Sequence, residues 1–294
     1  MPQVVKFAPA GIPIGTPKPG GTLEGVRYCR QIGLPAMEVE FVQGVRMKDE
    51  LAETIGKESA RVGVSLSCHG PYYVNLCSSD ATVISNTKRH FLSCARAAHL
   101  LRASPIVFHP GFYQGRPKEE AAKKAKKLLQ EILDEMEANG FSDVAIGTEL
   151  TGKKSAYGDL AEIIGLAQAF GVKKVQPVVD FGHYHARMAR LKTEDDFAKI
   201  FDAIEKELGA ISLSSFHCHF SEISFTASGE YKHLPLANGM VRMNAKKEGA
   251  GEGGPPFAPL AKLLHERGYS GTIVCESPLL EKDALKMQKI WESA

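Results

Sequence analysis

No run of eighteen apolar residues occurs anywhere in the 294-residue sequence, so no membrane-spanning helix is expected. The opening segment, MPQVVKFAPAGIP, has no basic stretch leading into a long apolar one and does not read as a secretory signal. The six cysteines (Cys29, Cys68, Cys77, Cys94, Cys218 and Cys275) are scattered without CxxC pairing, several of them inside apolar runs. They read as buried thiols in a reducing compartment, so the expected location is the cytoplasm. A formal net charge of +2 is too small to announce a nucleic-acid binder by itself, although it leaves room for a local basic surface. Nor does any linker or break in composition divide the chain, so residues 1–294 are expected to form one domain.

What the sequence does have is alternation. Short apolar runs at 4–9, 36–42, 64–69, 105–109, 144–150, 175–183, 214–220 and 272–277 read as strands. Helical periodicity follows each of them, at about 22–32, 47–62, 81–102, 117–139, 157–170, 194–208, 257–267 and from 281. Gly33, Gly63 and Gly140 stop helices, and Pro117 opens one. Eight strand–helix units argue for a parallel sheet closed into an α/β (β/α)8 barrel, in which the C-terminal ends of all strands share one face.

Those ends carry one kind of chemistry. Strands finish on His69, His109, Glu149, Asp180 with His183, His217 with His219, and Glu276, and His233 lies in a long polar excursion at 221–254. Any one such histidine is most simply a hydrogen-bonded barrel residue. The joint set of His69, His109, Glu149, Asp180, His183, His217, His233 and Glu276 exceeds the needs of one tetrahedral ion and suffices for two or three. Imidazole and carboxylate suit zinc, with manganese or iron as other occupants, and point to metal-assisted hydrolysis or isomerisation.

Other features carry weaker signals. Tyr72, Tyr73 and Asn75 can contact a DNA backbone or stack in the gap of a missing base, or simply pack over a barrel rim. Arg116, Lys153, Lys154, Arg187 and Arg242 follow strand ends, where they can face phosphates or be merely solvated. The lysine-rich run at 123–138 reads as a solvated outer helix face. EGAGEGG at 248–254 is not set between a strand and a helix and reads as a lid or turn. Strand alternation turns Cys218 away from its histidine neighbours, and His90, His99 and His265 fall in helices without a ligand pattern.

HGPYYVNL at 69–76, FHPG at 108–111, Glu149 ending the fifth strand, DFGH at 180–183, His217 followed by Ser221, His233, GEG at 251–253 and VCES at 274–277 resemble, in this order, the motifs of the endonuclease IV family. That family comprises apurinic/apyrimidinic endonucleases on a TIM barrel with a trinuclear zinc site. The resemblance implies hydrolysis of the phosphodiester 5′ to an abasic site, leaving a 3′-hydroxyl, with Glu149 and Glu276 as catalytic carboxylates. It implies that His69 and His109 bind one ion, that Glu149 bridges it to a second completed by Asp180, His217 and Glu276, and that His183 and His233 hold a third. Where the family has an Asp two residues before the last histidine, this chain has Tyr231, so Glu230 or His219 are the candidates to replace it. The implied cofactors are two or three Zn2+, with Mn2+ possible in one site. The implied partner is double-stranded DNA with abasic or 3′-blocked damage, met by Tyr72, Asn75, Arg116 and Arg187 of a monomer.

Two rivals stand beside this reading. Related barrels hold divalent metals at strand ends for sugar isomerisation or epimerisation, usually with one or two ions held mainly by carboxylates. A descendant that binds damaged DNA without cutting it is the other, kept in play by Tyr231.

Overall fold

Helix ends set the frame. Gly33 and Gly63 take left-handed conformations (φ 85° and 73°) directly after helices α1 (Thr22–Ile32) and α2 (Asp49–Val62), which a residue bearing a Cβ adopts only at a cost. Asp80 caps α3 (Ala81–Leu101) by accepting hydrogen bonds from the Thr82 and Val83 amides. Reciprocal capping boxes, Asp159 with Glu162 and Thr193 with Asp196, start α5 (Leu160–Phe170) and α7 (Glu194–Leu208). The remaining helices are α4 (Lys118–Ala138), α6 (Phe181–Met188), α8 (Phe257–Arg267) and α9 (Glu281–Glu292). The computed structural model describes residues 4–188, 191–237 and 253–294.

Between the helices run eight parallel strands: β1 (Val5–Pro9), β2 (Ala36–Glu40), β3 (Ser65–His69), β4 (Ile106–Phe108), β5 (Ile146–Glu149), β6 (Val175–Asp180), β7 (Phe216–Phe220) and β8 (Gly271–Cys275). They pair in sequence order from β2 to β8, and β8 pairs with β1. An Ala10–Glu38 bridge, with Gly11 N donating to Glu38 O at 2.9 Å, brings β1 back to β2, so the sheet forms the expected α/β barrel. Two short antiparallel additions decorate its mouth. One joins Gly111–Phe112 to Ala156–Tyr157, and the other is a hairpin of Glu222–Thr226 and Gly229–Leu234. The expected excursion after β7 therefore begins as a hairpin. Residues 238–252, with Arg242 and most of EGAGEGG, lie outside the described residues.

Because strand side chains alternate, each strand sends one set outward to the helices and one set into the barrel. The outward set is apolar: Phe7, Met37, Leu66, Ile106, Phe108, Ile146, Val179, Phe220 and Ile273 are buried in one continuous core with the helices. Burying such a side chain contributes about 1.5–3 kcal/mol. All six cysteines are buried and free, as expected. The inward set changes character with height. Ala8, Ala36 and Val274 form a small buried apolar cluster, Glu38, Ser67 and His217 are buried polar groups of the interior, and ligand-type side chains crowd the mouth. Among the described residues no helix is long and apolar enough to cross a membrane.

Candidate metal centre

Glu149, the last residue of β5, is fully buried at the middle of the mouth. Its Oε2 lies 3.1 Å from His69 Nε2 and 2.8 Å from His109 Nε2, and its Oε1 lies 3.2 Å from His183 Nδ1 and 3.4 Å from His219 Nδ1. Four imidazoles from four different elements thus surround one carboxylate. The Gly70 carbonyl, 2.8 Å from His69 Nδ1, takes the proton of that nitrogen, which leaves the Nε2 lone pair of a neutral ring facing a carboxylate oxygen. Two lone pairs at that distance repel unless a proton or a cation lies between them. Donor atoms around a tetrahedral zinc ion sit about 3.3 Å apart. The observed spacing suits an ion.

Asp180 ends β6, and its Oδ1 accepts the His183 amide at 2.6 Å, capping α6. The Asp-x-x-His spacing is therefore a capping geometry that aims both side chains into the mouth, and α6 replaces the last three residues of the strand expected at 175–183. Glu276, one residue beyond β8, brings Oε1 to 3.1 Å from His219 Nδ1. Ligand atoms of His69, Glu149, His219 and Glu276 lie within 4.8 Å of one another, as do those of Glu149, Asp180, His183 and Glu276. Glu149 Oε1, Asp180 Oδ2 and both ring nitrogens of His219 are buried without a hydrogen-bond partner, as donors awaiting an ion would be.

The structure does not bring His217 together with Asp180 and Glu276; its ligand-type atom groups with those of Glu38 and His219, within 4.8 Å of one another. His217 and His219 both point inward, but His217 lies deeper, with Nε2 3.1 Å from Glu38 Oε2, and His219 takes the place beside Glu276. Glu38 and Glu40 were missed as site residues; both point into the barrel from β2, Glu38 fully buried and Glu40 partly exposed on the cavity wall.

The hairpin supplies the third group. His183, His233 and Glu276 converge, and Ser221 Oγ lies 2.6 Å from His233 Nδ1. Tyr231 is 66% exposed and points away, because the hairpin is bulged. Ser224 pairs with Lys232 and Phe225 with Glu230, which leaves Tyr231 without a partner and turns Glu230 onto the face of His233. Glu230 Oε2 then lies 3.1 Å from His183 Nε2, whose Nδ1 is 3.0 Å from the Leu150 carbonyl. Gly152 makes room: a Cβ there would lie 2.3 Å from Glu230 Oε2.

Burial alone would hold these carboxyls neutral and these imidazoles uncharged; the neighbours decide otherwise. Against its desolvation, Glu149 is held well below the carboxylate range by His109 and His219. Against theirs, His69 is pushed up to about 10 by Glu149 and Glu40, and His183 and His219 rise by the same kind of cause. Asp180 is driven well up by burial and by the charges of Glu276 and Glu149, and Glu40 goes to about 8 by burial, with Glu38 and Glu276 adding to it.

A cavity of about 600 Å3 opens onto this group, lined by Tyr72, His109, His183, His233, Glu276 and Glu40, with Lys153 among its cationic groups. Tyr72 is 52% exposed, its ring 5.5 Å from that of His69 and 5.3 Å from that of His109, so it stands at the mouth as expected. The other expected DNA contacts are engaged internally. Asn75 is buried and its Oδ1 accepts from the Cys77 and Phe112 amides at 3.0 and 3.1 Å. Arg116 donates to Ser79 Oγ and Gln114 Oε1, and Arg187 clamps the loop after β5 through Thr151 O and Oγ1 at 3.1 Å and Ala156 O at 3.3 Å. The two arginines thus spend these donors on the chain's own carbonyl and hydroxyl oxygens, while Asn75 acts as an acceptor.

The family described as the xylose isomerase-like TIM barrel matches residues 26–293. An uncharacterized protein of Methanocaldococcus jannaschii is 32% identical over 286 residues, which span 97% of this chain and 96% of that protein. A probable endonuclease 4 of Finegoldia magna is 25% identical over 175 residues, 59% of this chain and 60% of that one. Among solved structures, a D-tagatose 3-epimerase-like protein has a TM-score of 0.68 at 18% identity, covering 98% of this chain and 96% of its own. Endonuclease IV from Thermus thermophilus has a TM-score of 0.67 at 17% identity, covering 99% and 98%. At such identities the structural likeness is one of fold.

Proposed function

Because the chain belongs to the xylose isomerase-like TIM barrel family, we propose that it is a metal-dependent phosphodiesterase of DNA, incising 5′ to abasic sites and leaving a 3′-hydroxyl. The observation that carries this reading is Glu149 among four imidazoles, a donor set larger than one ion uses. The relatives named probable endonuclease 4 support the substrate. Two or three zinc ions, with manganese possible in one site, would supply an activated water and neutralise charge on the phosphoryl oxygens of an in-line displacement.

The residues divide the work. His69 and His109 would hold one ion with Glu149 as the bridge; Asp180, His219 and Glu276 would complete a second; His183, His233 and Glu230 would hold a third. Glu149 turns Oε2 to His69 and His109 and Oε1 to His183 and His219, so it could serve two ions, and Glu276 reaches toward His219 at 3.1 Å and His233 at 3.9 Å, linking the second group to the third. Tyr72 offers a ring face at the mouth for the exposed sugar or the base opposite the lesion, and Lys153 a positive charge for the flanking phosphate. The protein acts as a monomer on double-stranded DNA.

The test is incision of a labelled duplex carrying one abasic analogue, with and without chelator. Chelator-sensitive cleavage on the 5′ side is expected, and Glu149→Gln should lower it by on the order of 100-fold or more while the protein stays folded. No incision by metal-loaded protein sinks the reading. A second reading, sugar isomerisation or epimerisation, is favoured by Glu40: a carboxyl on the cavity wall, pushed up to about 8 by desolvation, is suited to moving a proton at a carbon centre. Turnover of a ketose without incision would select it.

A further inference from the structure

Beneath the proposed centre lies a polar layer that the reaction does not use. Small barrels of this kind are filled by bulky branched side chains, yet Glu38, Ser67 and His217 meet here at 0–5% exposure, next to the proposed ligand His219. A buried charge is costly unless its partners are fixed. The partners of Glu38 are distinct for its two oxygens. Oε2 accepts from Ser67 Oγ at 2.7 Å and from His217 Nε2 at 3.1 Å. Oε1 stands 3.0 Å from His219 Nε2, off-line for a hydrogen bond, and neither atom has another hydrogen-bond partner. The other nitrogen of His219, Nδ1, faces Glu276 Oε1 at 3.1 Å and Glu149 Oε1 at 3.4 Å.

We propose that Glu38 is a positioning residue of the metal centre: it holds the proton of His219 on Nε2, so that the Nδ1 lone pair is presented to an ion shared with Glu149 and Glu276. A carboxylate behind a metal-ligating imidazole fixes its tautomer and raises its basicity. Ser67 and His217 contribute by occupying Oε2, which commits Oε1 to His219. This inference rests on the assignment of His219 as a ligand.

The experiment compares wild type, Glu38→Gln and Glu38→Asp by competitive zinc titration against a chromophoric chelator, and records the 15N-coupled imidazole signals of the zinc-loaded proteins. Glutamine has the same size but presents an amide that can donate to His219 Nε2, favouring the wrong tautomer. In wild type, His219 should bind through Nδ1 and keep a hydrogen-bonded Nε2–H. In Glu38→Gln one ion should bind roughly 10–100-fold more weakly with the others unchanged, and Glu38→Asp, which keeps the charge, should recover part of the loss. A merely structural role would lower the melting temperature and leave every affinity in place. Unchanged affinities in a folded Glu38→Gln protein, or His219 bound through Nε2, overturn the inference alone. Wild type that takes up no zinc overturns the ligand assignment and the inference with it.

Discussion

His217 and His219 stand two residues apart on one strand, point the same way, and differ only in depth. His219→Ala should cost one bound ion, seen as a missing equivalent by elemental analysis. His217→Ala should leave the metal count intact and lower unfolding stability by about 1–3 kcal/mol, measured by denaturant titration, because Glu38 loses a buried donor. The pair also marks where sequence reading stops at this scale. Period-two alternation tells which face a side chain takes, so the inward pointing of both histidines was readable, but height along the barrel depends on strand stagger, which no local spacing encodes. Glu38 and Glu40 hid for a related reason: AMEVEFV has the pattern of a strand with one wet face, and only closure of the barrel, a tertiary fact, buries Glu38 and sets Glu40 on the cavity wall.

At the scale of elements, the hairpin decides whether a third ion has its carboxylate. The bulge at Tyr231 gives Glu230, three residues before His233, the facing that an acid two residues before it would have without a bulge. Gly152 permits the approach, since Glu230 Oε2 would lie 2.3 Å and Glu230 Cβ 2.8 Å from an added Cβ. Gly152→Ala should therefore push the hairpin away and remove one equivalent of metal, leaving the ions at Glu149 bound; an unchanged count would show that Glu230 is not a ligand. The helices with caps and glycine stops were readable to within a turn, because those signals are local. Helix α6 was not, since VQPVVDFGH continues an apolar run and its break depends on Asp180 Oδ1 capping the His183 amide.

For the whole molecule, eight strand–helix repeats made the barrel readable, and closure brings residues more than 200 positions apart, such as His69 and Glu276, into one cluster. Its protonation couples to stability. His69 is raised in the fold to about 10 from an ordinary 6.5, so its contribution is fully present below 6.5 and is lost as pH rises through 10. Glu40, raised to about 8, also makes the fold less favourable as pH rises toward that value. Metal-free protein should thus lose thermal stability between about pH 6.5 and pH 10, while zinc, which displaces the same protons, should stabilise it more at about pH 9 than at about pH 6. Melting curves with zinc and with chelator check both signs; a zinc effect that shrinks as pH rises would contradict the coupling. The central claim is that the mouth of this barrel is a multinuclear metal centre. Counting zinc per chain by elemental analysis, after equilibrium dialysis and removal of weakly bound ions, tests it most directly. Two or three equivalents, falling in Glu149→Gln, are predicted, and one or none in the folded wild-type protein would contradict the account.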